Sequence, residues 1–149
     1  MTTGTQNNMI KSPFIALIEN LNSIAKEGNW KIVYDKFSDA LYWSKATISL
    51  DSKLKKFSRE TSLYVTSNGT IEGLMIQYFK NNFLTQNNSL AQTSFAKSIN
   101  DTESGEPIAL GPRKEEVEAL FSESIKNDIL KDALEANFTL NDLDEVLRV

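Results

Sequence analysis

From Phe14 onward the apolar positions recur at helical spacing: Phe14, Leu17, Ile18, Leu21, Ile24 and Ala25, with Glu19, Asn20, Asn22 and Lys26 opposite them. Residues three and four apart share one helical face, so this spacing predicts an amphipathic helix. Ser12-Pro13 supplies its start, since a serine hydroxyl caps free amide groups and proline suits the first helical position. Gly28 stands where a terminating glycine belongs. The apolar stripe must be buried, against a sheet of the same chain, a partner or a second copy.

At Trp30 the period changes to two. Trp30, Ile32 and Tyr34 fall on one face of a strand, and Lys31, Val33 and Asp35 on the other. Lys36-Phe37-Ser38 reads as a turn, and residues 40–44 as the return strand. Residues 46–60 fit neither period cleanly, and Ile48, Leu50, Leu54 and Phe57 are the expected inward positions. The clearest local signal is Asn68-Gly69 between two alternating strands. It predicts a two-residue type I′ hairpin, which needs positive φ at both central residues. That loop pairs Ser67 with Thr70, Val65 with Glu72, Leu63 with Leu74 and Tyr64 with Gly73. Leu63, Val65, Leu74 and Ile76 then share one face and Tyr64, Ile71 and Met75 the other, so both faces are expected to be covered.

Residues 85–112 are rich in Asn, Ser, Thr and Gly and carry Pro107 and Pro112, which reads as a polar linker. Ala91, Phe95 and Ile99 are nevertheless spaced for a short helix. Further on, Val117, Leu120, Phe121, Ile125, Ile129, Leu130, Ala133 and Leu134 make a second helical stripe. Glu115 and Glu116 sit in its first turn, where the helix dipole favours negative charge. Residues 137–139 read as a break. A last short helix carries Leu140, Leu143, Val146 and Leu147, with Thr139 as its cap. The expected class is α+β: a disordered stretch 1–11, a core domain 12–84 with the N-terminal helix on a small antiparallel sheet, a linker 85–112, and a helical tail 113–149.

The chain has 149 residues, 40% hydrophobic and 24% charged, which is globular composition. It has no cysteine and no histidine. Disulfides, zinc–thiolate and iron–sulfur sites, and Ser-His-Asp or Cys-His catalysis within this chain are therefore excluded, and only oxygen ligands remain for a metal. No cofactor is expected. No apolar run reaches the roughly 20 residues of a membrane span. Met1 to Asn8 lacks the basic and apolar regions of a signal peptide, so the expected compartment is the cytoplasm. The net charge of −4 is uneven: residues 1–112 hold 11 basic and 10 acidic side chains, and residues 113–149 hold 5 and 10. An acidic tail suits a basic protein surface better than nucleic acid.

Three groups of residues carry candidate chemistry. Asp35, Asp39 and Glu60 can be read as a carboxylate cluster for magnesium or acid–base work, or as ordinary turn residues that satisfy nearby backbone N–H groups. Lys45, Lys53, Lys55, Lys56 and Arg59, interleaved with Trp43 and Phe57, have the basic and stacking character that single-stranded nucleic acid needs. The same lysines also suit an edge strand, where charge prevents edge-to-edge pairing. The C-terminal stripe (Val117, Leu120, Phe121, Leu140, Leu143 and Leu147) can anchor in a groove of a partner. Equally, it can pack on its own sheet or complete a homodimer.

Tyr34-Asp35-x-x-x-Asp39-Ala40-Leu41-Tyr42, followed by Asn68-Gly69-x-Ile71-x-Gly73-Leu74-x-Ile76, resembles the small bacterial domain of unknown function 2283 over about residues 30–84. The resemblance implies a short β-rich domain without an established activity, of a kind sometimes encoded beside small toxin-like proteins. It assigns no catalytic role to the aspartates. The expected function is a non-enzymatic protein-binding or regulatory module, antitoxin-like or inhibitor-like in its most concrete form. A nucleic-acid-binding regulator using Lys53, Lys55, Lys56 and Arg59 is the alternative, and a carboxylate/magnesium hydrolase the third reading.

Overall fold

Helix α1 (Pro13–Glu27) leads into β1 (Lys31–Asp35), β2 (Ala40–Ser44), β3 (Lys53–Lys56), β4 (Thr61–Val65) and β5 (Ile71–Ile76). The computed structural model describes residues 13–56, 58–99 and 106–135, and for residues 13–18 and 132–133 the backbone alone. After β5 come a π-helical turn (Phe79–Phe83) and three short helices, α2 (Leu84–Gln86), α3 (Asn88–Ala91) and α4 (Ser94–Ser98). A 3-10 turn (Gly111–Arg113) then starts the long helix α5 (Lys114–Glu135). The strands form an antiparallel sheet in the order β1-β2-β5-β4-β3. The fold is α+β, as expected.

α1 ends differently from the expectation. Trp30 N donates to Ala25 O at 2.9 Å and Asn29 N to Lys26 O at 3.1 Å, the paired bonds of a Schellman stop. The residue in left-handed conformation is Asn29 (φ 53), not Gly28. Gly28 is needed for another reason: a Cβ there would lie 2.6 Å from Trp30 Nε1. The glycine lets the Trp30 ring fold back over the helix end, where it meets Trp43 edge-on at 5.7 Å.

Trp30, Ile32 and Tyr34 are buried, as their alternation requires. They join Trp43, Leu63, Leu74 and Ile76 on the sheet face that the helices cover. Phe121 of α5 lies over Trp43 at 5.6 Å and Phe95 of α4 meets Phe121 at 5.2 Å. Leu21 and Ala25 bury the described part of the α1 stripe, which packs on α5 and β5. Ser12, Phe57, residues 1–11 and the stripe positions Phe14, Leu17, Ile18 and Ala133 lie outside the residues or side chains described.

Residues 85–99 are not a linker. Leu90, Phe95, Ala96 and Ile99 are buried in the core, and Thr93 Oγ1 caps α4 by accepting from Ala96 N at 3.1 Å. Polar composition misleads here because short helices need only a few inward apolar residues each. Core side chains run continuously from Leu21 to Ile129, so the expected division at residues 84 and 113 is not seen among the described residues.

The hairpin keeps its central register by an unexpected route. Leu63 pairs with Leu74 and Tyr64 with Gly73, but Val65 pairs with Ile71 rather than Glu72. Gly69 N donates to Thr66 O at 3.0 Å and Thr66 N to Thr70 O at 2.9 Å, and only Gly69 has positive φ (89°). This is a three-residue loop, not a type I′ turn, and it shifts the pairing by one. A bulge at Glu72 then restores it.

Candidate functional site

The three carboxylates read as a cluster serve separate structural tasks. Asp39, in left-handed conformation (φ 54), ends the β1–β2 turn. Its Oδ1 accepts from Tyr34 OH at 2.7 Å and from Lys80 N at 2.8 Å, and its Oδ2 from Asn81 N at 3.1 Å. It thereby caps the π-helical turn from a distant point in sequence, since the first N–H groups of a helix have no internal partner. Burial first, then Asp39 itself, raises the Tyr34 phenol well above its ordinary range. Asp35 accepts from Phe37 N at 3.1 Å and Ser38 Oγ at 2.9 Å, a local turn clasp. Glu60 accepts from the Asn82 side chain. No group of three metal-ligating side chains occurs among the described residues.

A fourth carboxylate, Glu72, expected only as a hairpin position opposite Val65, has a polar site of its own. At the bulge in the central strand β5, its side chain lies against the loop between β2 and β3, where Glu72 is 2% exposed. It accepts from Ser49 Oγ at 2.6 Å, Ser49 N at 2.9 Å, Ser52 Oγ at 2.8 Å and Lys45 Nζ at 3.3 Å. The Ser49 hydroxyl chiefly, with the Ser49 amide, Ser52 and Lys45, outweighs burial and holds its carboxyl at about 2. Glu72 thus ties down the loop between β2 and β3. Its signal in the sequence was a lone carboxylate, beside a glycine, in an otherwise apolar strand.

The basic segment divides. Lys45 is committed to Glu72, and Arg59 faces Glu135 of α5 at 3.7 Å. Lys53, Lys55 and Lys56 stand together on β3, the edge strand, with Leu54 44% exposed between them. Leu50 and Leu54, expected inward, face solvent: Leu50 lies in the loop before β3, and Leu54 stands opposite Tyr64 on the sheet face away from the helices. Trp43, the aromatic proposed for stacking, is wholly buried.

The apolar stripe of α5 is already in use. Val117, Phe121, Ile125 and Ile129 are buried in the chain's own core and Leu120 is partly buried against it. Val117 and Phe121 are therefore not offered to a partner. Leu130 and Leu134 are exposed, and Leu140, Leu143 and Leu147 lie outside the described residues. Ser58 Oγ donates to Asp128 Oδ2 at 2.9 Å, fastening the β3–β4 turn to the same helix.

The sheet face away from the helices bears Tyr42, Met75 and Ser62 in one cross-strand row and Ser44, Gly73, Tyr64 and Leu54 in the next. A shallow cleft of about 210 Å³ lies between Trp30, Ile32, Pro107, Ile108, Lys114 and Glu118. Burial raises the Glu118 carboxyl, with Lys114 opposing. Among the described residues, buried Trp43 Nε1 and Thr61 Oγ1 have no hydrogen-bond partner. They stand on β2 and β4, on either side of β5. No described helix is long and apolar enough to cross a membrane. Compared with known protein families, curated proteins and solved structures, the chain gives no match in any of the three.

Proposed function

We propose that this chain is a non-enzymatic protein-binding module whose contact surface is the open edge of its sheet rather than the stripe of α5. The observation carrying this reading is the β3 edge: Lys53, Lys55 and Lys56 with exposed Leu54, on a strand paired on one side only among the described residues. Exposed strand edges are a recurrent docking mode, because unpaired backbone groups accept an added strand. The carboxylates that would serve hydrolysis are consumed by internal bonds. An antitoxin-like or inhibitor-like role is the concrete form that the resemblance over residues 30–84 suggests.

The nucleic-acid reading retains one supporting observation, three lysines within four residues. It loses Trp43 for stacking and Lys45 to Glu72. The test is chemical cross-linking of the full chain in native host lysate, beside a K53E/K55E/K56E variant. A protein recovered stoichiometrically supports the module reading. Recovery of nucleic acid, or of the chain alone, removes it.

A further inference from the structure

The two edges of the sheet are treated differently. Along β1, the segment after the last short helix lies alongside as a bridge: Val33 pairs with Pro107, and Ile108 N donates to Ile32 O at 3.0 Å. A proline in that position closes the edge, since it offers no N–H to a further strand. Along β3 nothing described takes the outer side. Its side chains alternate. Lys53 and Lys55 sit opposite Val65 and Leu63 on the helix-covered face, and Leu54 and Lys56 opposite Tyr64 and Ser62 on the other. None of the three lysines has an ion-pair partner among the described residues, whereas Lys45 and Arg59 beside them do.

We propose that the outer edge of β3 docks an extended acidic segment of a protein partner as an additional strand, with carboxylates opposite Lys53, Lys55 and Lys56 and an apolar side chain beside Leu54.

This rests on the protein-binding reading and names its partner chemistry. Two arguments select the occupant. A second copy of β3 would set lysine against lysine, and like charges directly opposite one another are destabilising. An acidic strand satisfies the same backbone groups and gains three cross-strand charge pairs. A nucleic acid would use the lysines but leave the edge N–H and C=O groups and Leu54 without counterparts. In parallel alignment the required pattern is acidic, apolar, acidic, acidic. Asp142-Leu143-Asp144-Glu145 of this chain has that order, so a peptide of this sequence is a ready probe.

The experiment is an amide NMR and hydrogen-exchange titration of the full chain with a peptide containing Asp-Leu-Asp-Glu. An Asn-Leu-Asn-Gln control and a single-stranded oligonucleotide are run in parallel. The expected result is shifts and slowed exchange centred on Lys53–Lys56 with the acidic peptide only. Affinity should fall about tenfold as salt screens the pairs, and K53E/K55E/K56E should bind no acidic peptide while keeping its spectrum elsewhere. Should that variant misfold, K53Q/K55Q/K56Q makes the same comparison. Binding of the oligonucleotide instead, or shifts mapping to other elements, overturns the proposal. So does peptide binding that emerges only in D142N/D144N/E145Q, because the chain's own segment is then the occupant. Proteins cross-linked equally to wild type and K53E/K55E/K56E would sink this inference while leaving the broader protein-binding reading standing.

Discussion

Tyr34 and Asp39, five residues apart on either side of the β1–β2 turn, are joined by a buried 2.7 Å hydrogen bond from the phenol to Oδ1. The same carboxylate holds Lys80 N and Asn81 N, so one residue links the first hairpin to the π-helical turn that follows the last strand. Asp39→Ala should lower stability by about 3 kcal/mol, from unmet buried donors and a left-handed backbone that alanine disfavours. Asp39→Asn, which tolerates positive φ, should cost about 1–2 kcal/mol through loss of the charge. Urea unfolding measures both. A catalytic carboxylate would behave oppositely, its neutral variant leaving stability unchanged or raised.

Glu72 makes stability pH-dependent. Its carboxyl is held at about 2 against an ordinary 4.5. A lowered pKa means the folded state favours the ionised form, so its contribution is complete above about 4.5 and fades as pH falls through about 2. Glu72→Gln should therefore cost about 2 kcal/mol near neutrality, a difference that narrows below pH 4.5. Thermal unfolding of both proteins across this range tests it. At neutral pH the released loop should also be cut at Leu50, already fully exposed at its tip, by chymotrypsin faster than in the wild type.

How far the chain could be read from its pattern depended on which interactions were local. The alternation of Trp30, Ile32 and Tyr34 and the stripe from Val117 to Ile129 are periodic, and both are buried as periodicity demands. Asn68-Gly69 correctly marked a hairpin, but the turn type depended on Thr66 and Thr70, outside the dipeptide. The loop and the Glu72 bulge then offset each other, so Leu63 still met Leu74. Glu72 and Asp39 acquire their roles from Ser49, Ser52, Lys80 and Asn81, contacts across 20 or more positions that no spacing rule registers. Leu50 and Leu54 have the apolar character of core residues, but Leu50 falls in a loop and Leu54 on the face of the edge strand that the helices do not cover, placements that residue type alone does not register.

Two glycines are held by close approach rather than by turns. A Cβ at Gly73 would lie 2.1 Å from Ser44 Cβ and 2.6 Å from Ser44 Cα, which is backbone of the neighbouring strand and cannot move alone. Gly73→Ala should cost about 3 kcal/mol or more, in the range of overpacked cores. Gly28→Ala meets the Trp30 ring instead. It should cost less and report itself as an altered near-ultraviolet circular dichroism signal from the Trp30–Trp43 pair. Equal losses at the two positions would contradict this assignment.

The role of α5 separates most sharply at two adjacent residues. Phe121 is wholly buried among Trp43, Phe79 and Phe95, whereas Leu120 is only partly covered. If the helix is core, Phe121→Ala should destabilise the chain by about 3–5 kcal/mol, enough to unfold a domain of ordinary stability. Leu120→Ala should cost roughly 1 kcal/mol, as half-covered side chains do. A helix held in reserve for a partner predicts the reverse economy: both variants fold normally and lose binding together. Chemical denaturation of the two variants in the absence of any partner decides between these, because the core role is expressed by the chain on its own. Among the described side chains, the exposed large apolar residues of α5 are then Leu130 and Leu134 near its end. Leu134→Asp at that exposed position should leave stability within about 0.5 kcal/mol of wild type, the contrast that confines the apolar stripe's structural work to Val117 through Ile129.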